Sequence, residues 1–448
     1  MAANKTGNRF FIFILCCGLC SLLPACLPIN KAPYQQQKYY HKTKAALLKL
    51  STPAPHPDTV RVGWAKVNIT PGHRAPLAGY GKRKGKRLTS IHDSIYVRAF
   101  VFKNKTARLA IVTMDLLIAP MSVKAALQEK LTAIGFRKEQ VYLTATHAHS
   151  SLGGWARKPA GFVMAGKYDK QIVNQITQAI LVAIKEAEST AAPARIGFTA
   201  FSADSLVANR LVGAAGSRDT AVRVLKIQKQ SGETAIWTTY AAHATCLPAA
   251  ELQLSGDYPA ALVQQLEQYK KTSFAAFSAG AVASHKPAAS GTSYEKVNNM
   301  AQGLAQLINK HTAAAPVNYV FRLNALEVPL YLRRPQWRIS QNWRLIPALF
   351  HGVFGKYPAT LSGLRIGDIL LVGAPCDFSG ELVPSLEQQL PAATNQLMVT
   401  SFNGGYIGYI TPDKYYNLKK YETRDMNFYG PYNGAYLSEM MGLLLQKL

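Results

Sequence analysis

Short apolar, β-prone runs recur along this chain, separated by turns and by stretches with helical spacing. Val62-Gly-Trp-Ala-Lys-Val-Asn-Ile69 alternates like a half-buried strand and turns at Thr70-Pro-Gly72. Ile95 to Phe102, Leu109 to Met114, Val141 to Ala145, Ala221 to Ile227, Ala235 to Ala242 and Phe274 to Ser278 read as further strands. Leu361 to Val372 reads as two strands around Gly367-Asp368. Helical spacing covers Val123 to Ile134, with Gly135 as its C-cap, then Lys170 to Glu188, Tyr258 to Tyr269 and Tyr436 to Leu448. Strands and helices alternating in this way predict an α/β or mixed α+β fold, with β-sheets flanked by helices. No internal repeat and no linker is evident after Thr59, so residues 60–448 are expected to form a single large catalytic domain.

The first residues carry a targeting signal. Lys5 and Arg9 precede an apolar run, Phe10 to Leu23, that is short for a membrane span. It ends in Leu23-Pro24-Ala25-Cys26, which resembles a bacterial lipoprotein cleavage box. Residues 1–25 are therefore expected to be a signal peptide, with Cys26 acylated. An ordinary signal peptide and a short anchor helix are the alternatives, and all three export the protein. The expected location is the bacterial cell envelope, periplasmic or surface, with the chain lipid-anchored through Cys26. Residues 26–59 are rich in Gln, Lys, Tyr and Pro and read as a tether, with a short helix around Lys44 to Leu50 and a close at Pro53-Ala-Pro55. Four of six cysteines lie in the targeting segment; Cys246 and Cys376 are left to form one disulfide or to stay apart as buried thiols.

A formal net charge of +27 attracts anionic surfaces. For an exported protein these are lipid headgroups or envelope polysaccharide. Nucleic acid is not an expected partner, because Lys and Arg are dispersed and no recognition motif is present. The densest cluster, Lys82-Arg83-Lys84-Gly85-Lys86-Arg87, reads either as a solvated loop or as one that faces a membrane or steers substrate. Trp337 to Phe354 mixes aromatic and aliphatic residues with Arg338 and Arg344, which suits an interfacial segment, an acyl-chain pocket or a core helix with a basic face. Oligomeric state is not encoded in any pattern here.

Chemistry-bearing residues gather where strands end. Val141 to Ala145 runs into Thr146-His147-Ala148-His149, a pair suited to sharing a cation or splitting metal and proton duties, or else a surface pair in a turn. The strand from Ala235 ends at His243. Leu370-Leu-Val-Gly-Ala-Pro375 delivers Asp377 to a loop, and a tyrosine-rich, glycine-rich stretch holds Tyr406, Tyr409 and Tyr415. Two histidines and a carboxylate make an ordinary hydrolytic zinc set. Taken singly, each has a bland reading: a core histidine, a helix cap, packing tyrosines.

The ordered series of motifs resembles the N-terminal catalytic domain of the neutral/alkaline ceramidases, from about Val62 to Gly430. It comprises Gly63-Trp-Ala-Lys-Val-Asn-Ile-Thr-Pro71, Ile91-His-Asp-Ser-Ile-Tyr-Val-Arg-Ala-Phe100, Ala145-Thr-His-Ala-His-Ser151, Asn209-Arg210 and Ala242-His-Ala-Thr245. Ser255-Gly-Asp-Tyr258, Pro375-Cys-Asp377, Gly405-Tyr-Ile-Gly-Tyr-Ile-Thr411 and Tyr421-Glu422 complete it. The resemblance implies a zinc-dependent amidohydrolase that splits a linear amide in a ceramide-like acyl-amide lipid. It implies Zn2+ on His147, His243, Asp377 and Tyr406, with His149, Arg210 and Tyr415 around the scissile bond and Tyr409 as the alternative to Tyr415. Asp377 stands where the family has Glu. Ala281 and Ala283 stand where it has Asp and Ser, and Ser284 is the neighbouring hydroxyl. No C-terminal immunoglobulin-like domain is expected. The substitutions leave two other readings: an inactive envelope protein that binds lipid or glycan, and a zinc amidase or esterase for a non-ceramide substrate.

Overall fold

Strand residues that alternate large and small apolar side chains on both faces must be covered on both faces. That is the case here. The computed structural model describes residues 25–51, 57–269, 271–313, 315–391, 394 and 396–448. Residues 1–24 of the expected signal peptide and Pro53-Ala-Pro55 lie outside these residues.

One supersecondary unit occurs three times. Each copy has two antiparallel strand pairings, then a helical crossover to a fourth strand parallel to the third, then a closing helix. The first copy comprises strands Arg61–Asn68, Tyr96–Lys103, Arg108–Met114 and Val141–Ala145, with helices Met121–Gln128 and Lys170–Ser189. The second comprises Ala192–Ser202, Ala221–Lys229, Thr234–Tyr240 and Phe274–Ala279, with Asp257–Gln268 and Ser293–Thr312. The third comprises Leu323–Pro329, Thr360–Ile366, Ile369–Gly373 and Gln396–Thr400, with Val383–Glu387 and Asn433–Leu445. The absence of a repeat in the sequence therefore does not extend to the topology. The first two units join edge to edge into an eight-stranded sheet through Ala192↔Val62 and Pro193↔Arg61; the third forms its own four-stranded sheet.

Inner faces of all three units share one core: Phe100, Phe102 and Tyr142 meet Leu225, Ile227 and Trp237, and Leu364, Leu371 and Met398. Outer faces pack beneath each unit's own helices. In Tyr96–Lys103, for example, Val97, Ala99 and Val101 face the helices while Phe100 and Phe102 face the shared core. The fourth strands converge: Thr144 Oγ1 lies 2.5 Å from Ser278 Oγ, and Tyr142 OH 2.7 Å from Thr400 Oγ1. Loops leaving these strands are thereby brought to one place.

Three expectations change. The helix read over Val123 to Ile134 breaks after Gln128 and resumes as one tight turn, Leu131–Ile134, which Gly135 closes at φ 74°. Residues 26–50 do not hang as a tether. Helix Lys38–Leu48 buries Tyr39, Tyr40, Thr43 and Leu47 against helix Asn433–Leu445, where Tyr40 OH donates to Glu439 Oε1 at 2.7 Å. The strand Cys26–Pro28 pairs with Trp343–Leu345. Trp337 to Phe354 is both core and surface: Phe350 is buried, whereas Leu349 and Trp343 are exposed.

Candidate metal centre and active site

His147 and His149 are brought together by a turn rather than by strand alternation. Strand Val141–Ala145 ends, His147 takes φ 63°, and its amide bonds to the Leu116 carbonyl at 3.0 Å. The strained backbone swings the ring inward, where it stacks on Phe402 at 4.0 Å. His149 follows, and Gly79 passes so close that a Cβ there would meet the His149 carbonyl at 2.3 Å. His243 enters from the end of Thr234–Tyr240. Its loop is braced by Asp257, which accepts from the Cys246 and Leu247 amides at 3.3 and 3.1 Å.

Four groups converge. His147 Nε2 lies 2.8 Å from His243 Nε2 and 3.0 Å from His149 Nε2. Asp377 Oδ1 lies 3.4 Å from His147 Nε2 and 3.5 Å from His243 Nε2. Two backbone carbonyls settle the tautomers: His147 Nδ1 donates to Leu117 O at 2.6 Å and His243 Nδ1 to Val282 O at 3.1 Å. Their Nε2 atoms therefore carry lone pairs. Burial holds all three imidazoles neutral, with His147 lowered to about 3 and the other two well below the usual value. No proton lies between the facing lone pairs of His147 and His243. Asp377 Oδ1, fully buried, has no hydrogen-bond partner among the described residues. Burial lifts the Asp377 carboxyl to about 7, against the Tyr406 hydroxyl, which donates to Oδ2 at 2.8 Å. Lone pairs aimed at one another beside an unpartnered carboxylate oxygen are unfavourable alone and are the donor set a divalent cation satisfies. His147, His149 and His243 also qualify as a three-imidazole set. The residues present fit a metal of the zinc class.

The centre opens into a cavity of about 1630 Å³. Apolar side chains dominate its walls, among them Leu117, Met121, Trp155, Met164, Phe350 and Phe354, with Lys82, Arg157, Lys158 and Lys420 also lining it.

A profile of the neutral/alkaline non-lysosomal ceramidase N-terminal domain matches residues 60–302, more than half of the chain. The chain belongs to this ceramidase family. Its fold is also that of neutral ceramidase from Pseudomonas aeruginosa, at TM-score 0.73 and 19% identity over 87% of this chain and 74% of that one. A ceramidase complexed with C2 matches at TM-score 0.74 and 18% identity over 87% and 75%. The family match covers the first unit and the second as far as residue 302, within its closing helix; Asp377 and Tyr406 belong to the third.

Within this ceramidase-family site, most of the expected residues meet. Arg210 Nη2 lies 3.4 Å from His243 Nε2 and 3.3 Å from Tyr409 OH, itself 3.3 Å from His243 Nε2. Of the two candidate tyrosines it is thus Tyr409 that faces the centre. Tyr415 points elsewhere and donates to Glu381 Oε2 at 3.0 Å, because the turn Asp413–Tyr415 carries it away from the loop. The Ser284 hydroxyl is also turned aside: it is fully buried and bonds Ser379 Oγ at 2.8 Å. At φ 66° the Ser284 backbone contributes instead, its carbonyl accepting from Arg210 N at 2.7 Å and its amide donating to Glu422 Oε2 at 2.7 Å.

Glu422 is the residue that had no role in the sequence reading. Its Oε1 accepts from Arg210 Nε at 2.6 Å and so fixes the guanidinium. The pair Tyr421-Glu422 was the available signal, but charge and spacing alone did not connect it with Arg210, 212 positions away. Arg83 is the other surprise. It is buried, not solvated, and donates to the His149 carbonyl at 2.5 Å and Ser150 Oγ at 2.9 Å. Cys246 and Cys376 are both buried free thiols, so the disulfide alternative falls.

Proposed function

We propose that this protein is a zinc hydrolase that cleaves the amide of a ceramide-like N-acyl lipid. The observation that carries the reading is the convergence of three neutral imidazole nitrogens and an unpartnered carboxylate oxygen at the floor of a large apolar cavity. Family membership supplies the substrate class.

His147, His243 and Asp377 would hold the metal, with Tyr406 orienting Asp377. A bound zinc would supply Lewis acidity, polarising a carbonyl and lowering the pKa of water to about 7. The remaining chemistry belongs to the chain. Arg210 Nη2 and Tyr409 OH sit as a donor pair for the negative charge that develops on the carbonyl oxygen, each worth about 3–4 kcal/mol when well placed. Burial keeps the Tyr409 hydroxyl protonated, as a donor must be. Glu422 holds Arg210 in position. His149 is neutral, so its one unprotonated ring nitrogen can take up a proton and pass it to the departing amine. The apolar walls hold the acyl chain and limit water.

Export, acylation at Cys26 and an anionic membrane as working surface are part of the same reading. Exposed Phe162, Val163, Leu349 and Trp343 suit contact with lipid, and strand Cys26–Pro28 pairs beside the helix that carries Leu349. The test is turnover of a labelled N-acyl sphingosine and of simpler acyl amides and esters, before and after chelation, with elemental analysis of the protein. Chelator-sensitive amide hydrolysis is expected. Bound metal without turnover of any acyl amide or ester would overturn the enzymatic reading and leave a lipid-binding homologue.

A further inference from the structure

A second cavity, of about 650 Å³, opens between the start of helix Lys38–Leu48 and the segment Tyr331–Gln336. Five cationic side chains line it, Lys38, Lys42, Arg333, Arg334 and Arg344, and no acidic one does. None of the five is within ion-pair distance of a carboxylate among the described residues. Glu439, on the neighbouring helix, accepts instead from Tyr34 and Tyr40.

Two of these cations are buried. Arg333 is 4% exposed; it donates to the carbonyls of Asn30 at 2.5 Å and Ala32 at 2.7 Å, and its Nε is buried with no partner among the described residues. Arg344 is 9% exposed and donates to the carbonyls of Pro28 and Pro335. Burial lowers its pKa, and the neighbouring charges of Arg334 and Arg333 lower it further. Buried cations without a counter-charge are costly, since carbonyls solvate them but do not neutralise them. The cavity also holds the N-terminus of an 11-residue helix that no side chain caps and whose first turn has no acidic residue. Free amides at a helix start favour an anion.

We propose that this cavity binds a tetrahedral oxyanion, a phosphate or phosphate ester, between Arg333, Arg334, Arg344 and the start of helix Lys38–Leu48. The site stands apart from the catalytic reading and does not depend on it. Arginine suits it because its planar fork matches phosphate oxygens. Two sources carry this chemistry. One is free phosphate. The other is the headgroup of an anionic phospholipid, for which position speaks: Arg344 Nε bonds the Pro28 carbonyl at 3.2 Å, two residues from Cys26.

The experiment uses the full chain. Thermal denaturation is followed against inorganic phosphate, with chloride at matched ionic strength as control. Flotation is measured with vesicles rich in phosphatidylglycerol and with pure phosphatidylcholine. A saturable rise in melting temperature with phosphate, or binding that needs phosphatidylglycerol, is expected; the first assigns a free oxyanion, the second a headgroup. The variant pair Lys42→Gln and Arg334→Gln alters only exposed side chains and is expected to raise the apparent Kd about tenfold or more, the loss of roughly one charge-assisted contact. Arg333→Gln is the buried counterpart, and the exposed pair keeps the test open should it fail to fold. The proposal is overturned if neither phosphate nor phosphatidylglycerol gives a response, if chloride matches phosphate, or if the double variant responds like the unaltered chain.

Discussion

Glu422→Gln is the substitution that most directly probes how the site is assembled. The Glu422 side chain is 6% exposed and accepts two short hydrogen bonds, from Arg210 Nε at 2.6 Å and from the Ser284 amide at 2.7 Å. Glutamine keeps one acceptor oxygen and turns an NH2 toward the second donor. One charge-assisted bond is lost and one donor is left facing another, which together cost about 2–4 kcal/mol. For domains of 150–250 residues each kcal/mol shifts the melting temperature by about 2–4 °C, and roughly half that applies to a chain of this size. A fall of about 2–8 °C is therefore expected by calorimetry. Catalysis should suffer more. With Arg210 no longer pinned, one oxyanion donor is misplaced, and kcat on an acyl-amide substrate should drop about 10²–10³-fold with KM nearly constant. Ser284→Ala is the control: its hydroxyl bonds only Ser379 among the described residues, so kcat should hold. Wild-type kcat and melting temperature in Glu422→Gln, or loss of kcat in Ser284→Ala, would refute the reasoning.

Three further outcomes are expected. His147→Ala removes the imidazole that lies against His243, His149 and Asp377 alike, so elemental analysis should find bound metal lost from the folded variant. Tyr409→Phe should lower kcat by about 10–10²-fold, whereas Tyr415→Phe should leave it unchanged and lose about 1 kcal/mol from the bond to Glu381; equal effects in an activity assay would contradict the placement. In metal-stripped protein at about pH 4.5–6, unfolding takes up protons at three imidazoles held neutral in the fold. It releases one from Asp377, whose carboxyl is raised to about 7. The lowered histidines make stability rise with pH, the raised carboxyl does the opposite, and the histidines outnumber it. The centre should thus lose roughly 2–3 kcal/mol per pH unit on acidification; a chelated sample that melts higher at pH 5 than at pH 6 would contradict this.

What the sequence displays well is local. Apolar runs locate nine of the strands, several of them buried along their whole length, and His147, His243 and Asp377 stand out because an apolar run stops just before them. Layering was not legible. Helix Lys38–Leu48 builds its buried stripe from Tyr39, Tyr40 and Thr43 as well as Leu47, and tyrosine-rich composition looks like a linker when only hydropathy is weighed. The threefold topology leaves no repeat in the residues, since packing constrains alternation and volume but not identity. Ser284 and Tyr415 turn away from the centre and Glu422 turns toward Arg210, because position in a motif says nothing about which way a turn aims a side chain.

Equivalent loops of the three units have taken unequal work. After the third strands come Asp115, His243 and Asp377; after the fourth come His147, Ser284 and Tyr406. A scaffold that presents six like-placed junctions needs few of them for reactivity, and the spare ones are free to brace, as Ser284 does through its backbone. Chemistry on such a frame can be relocated from one junction to a sister junction without disturbing the shared core of packed side chains behind it.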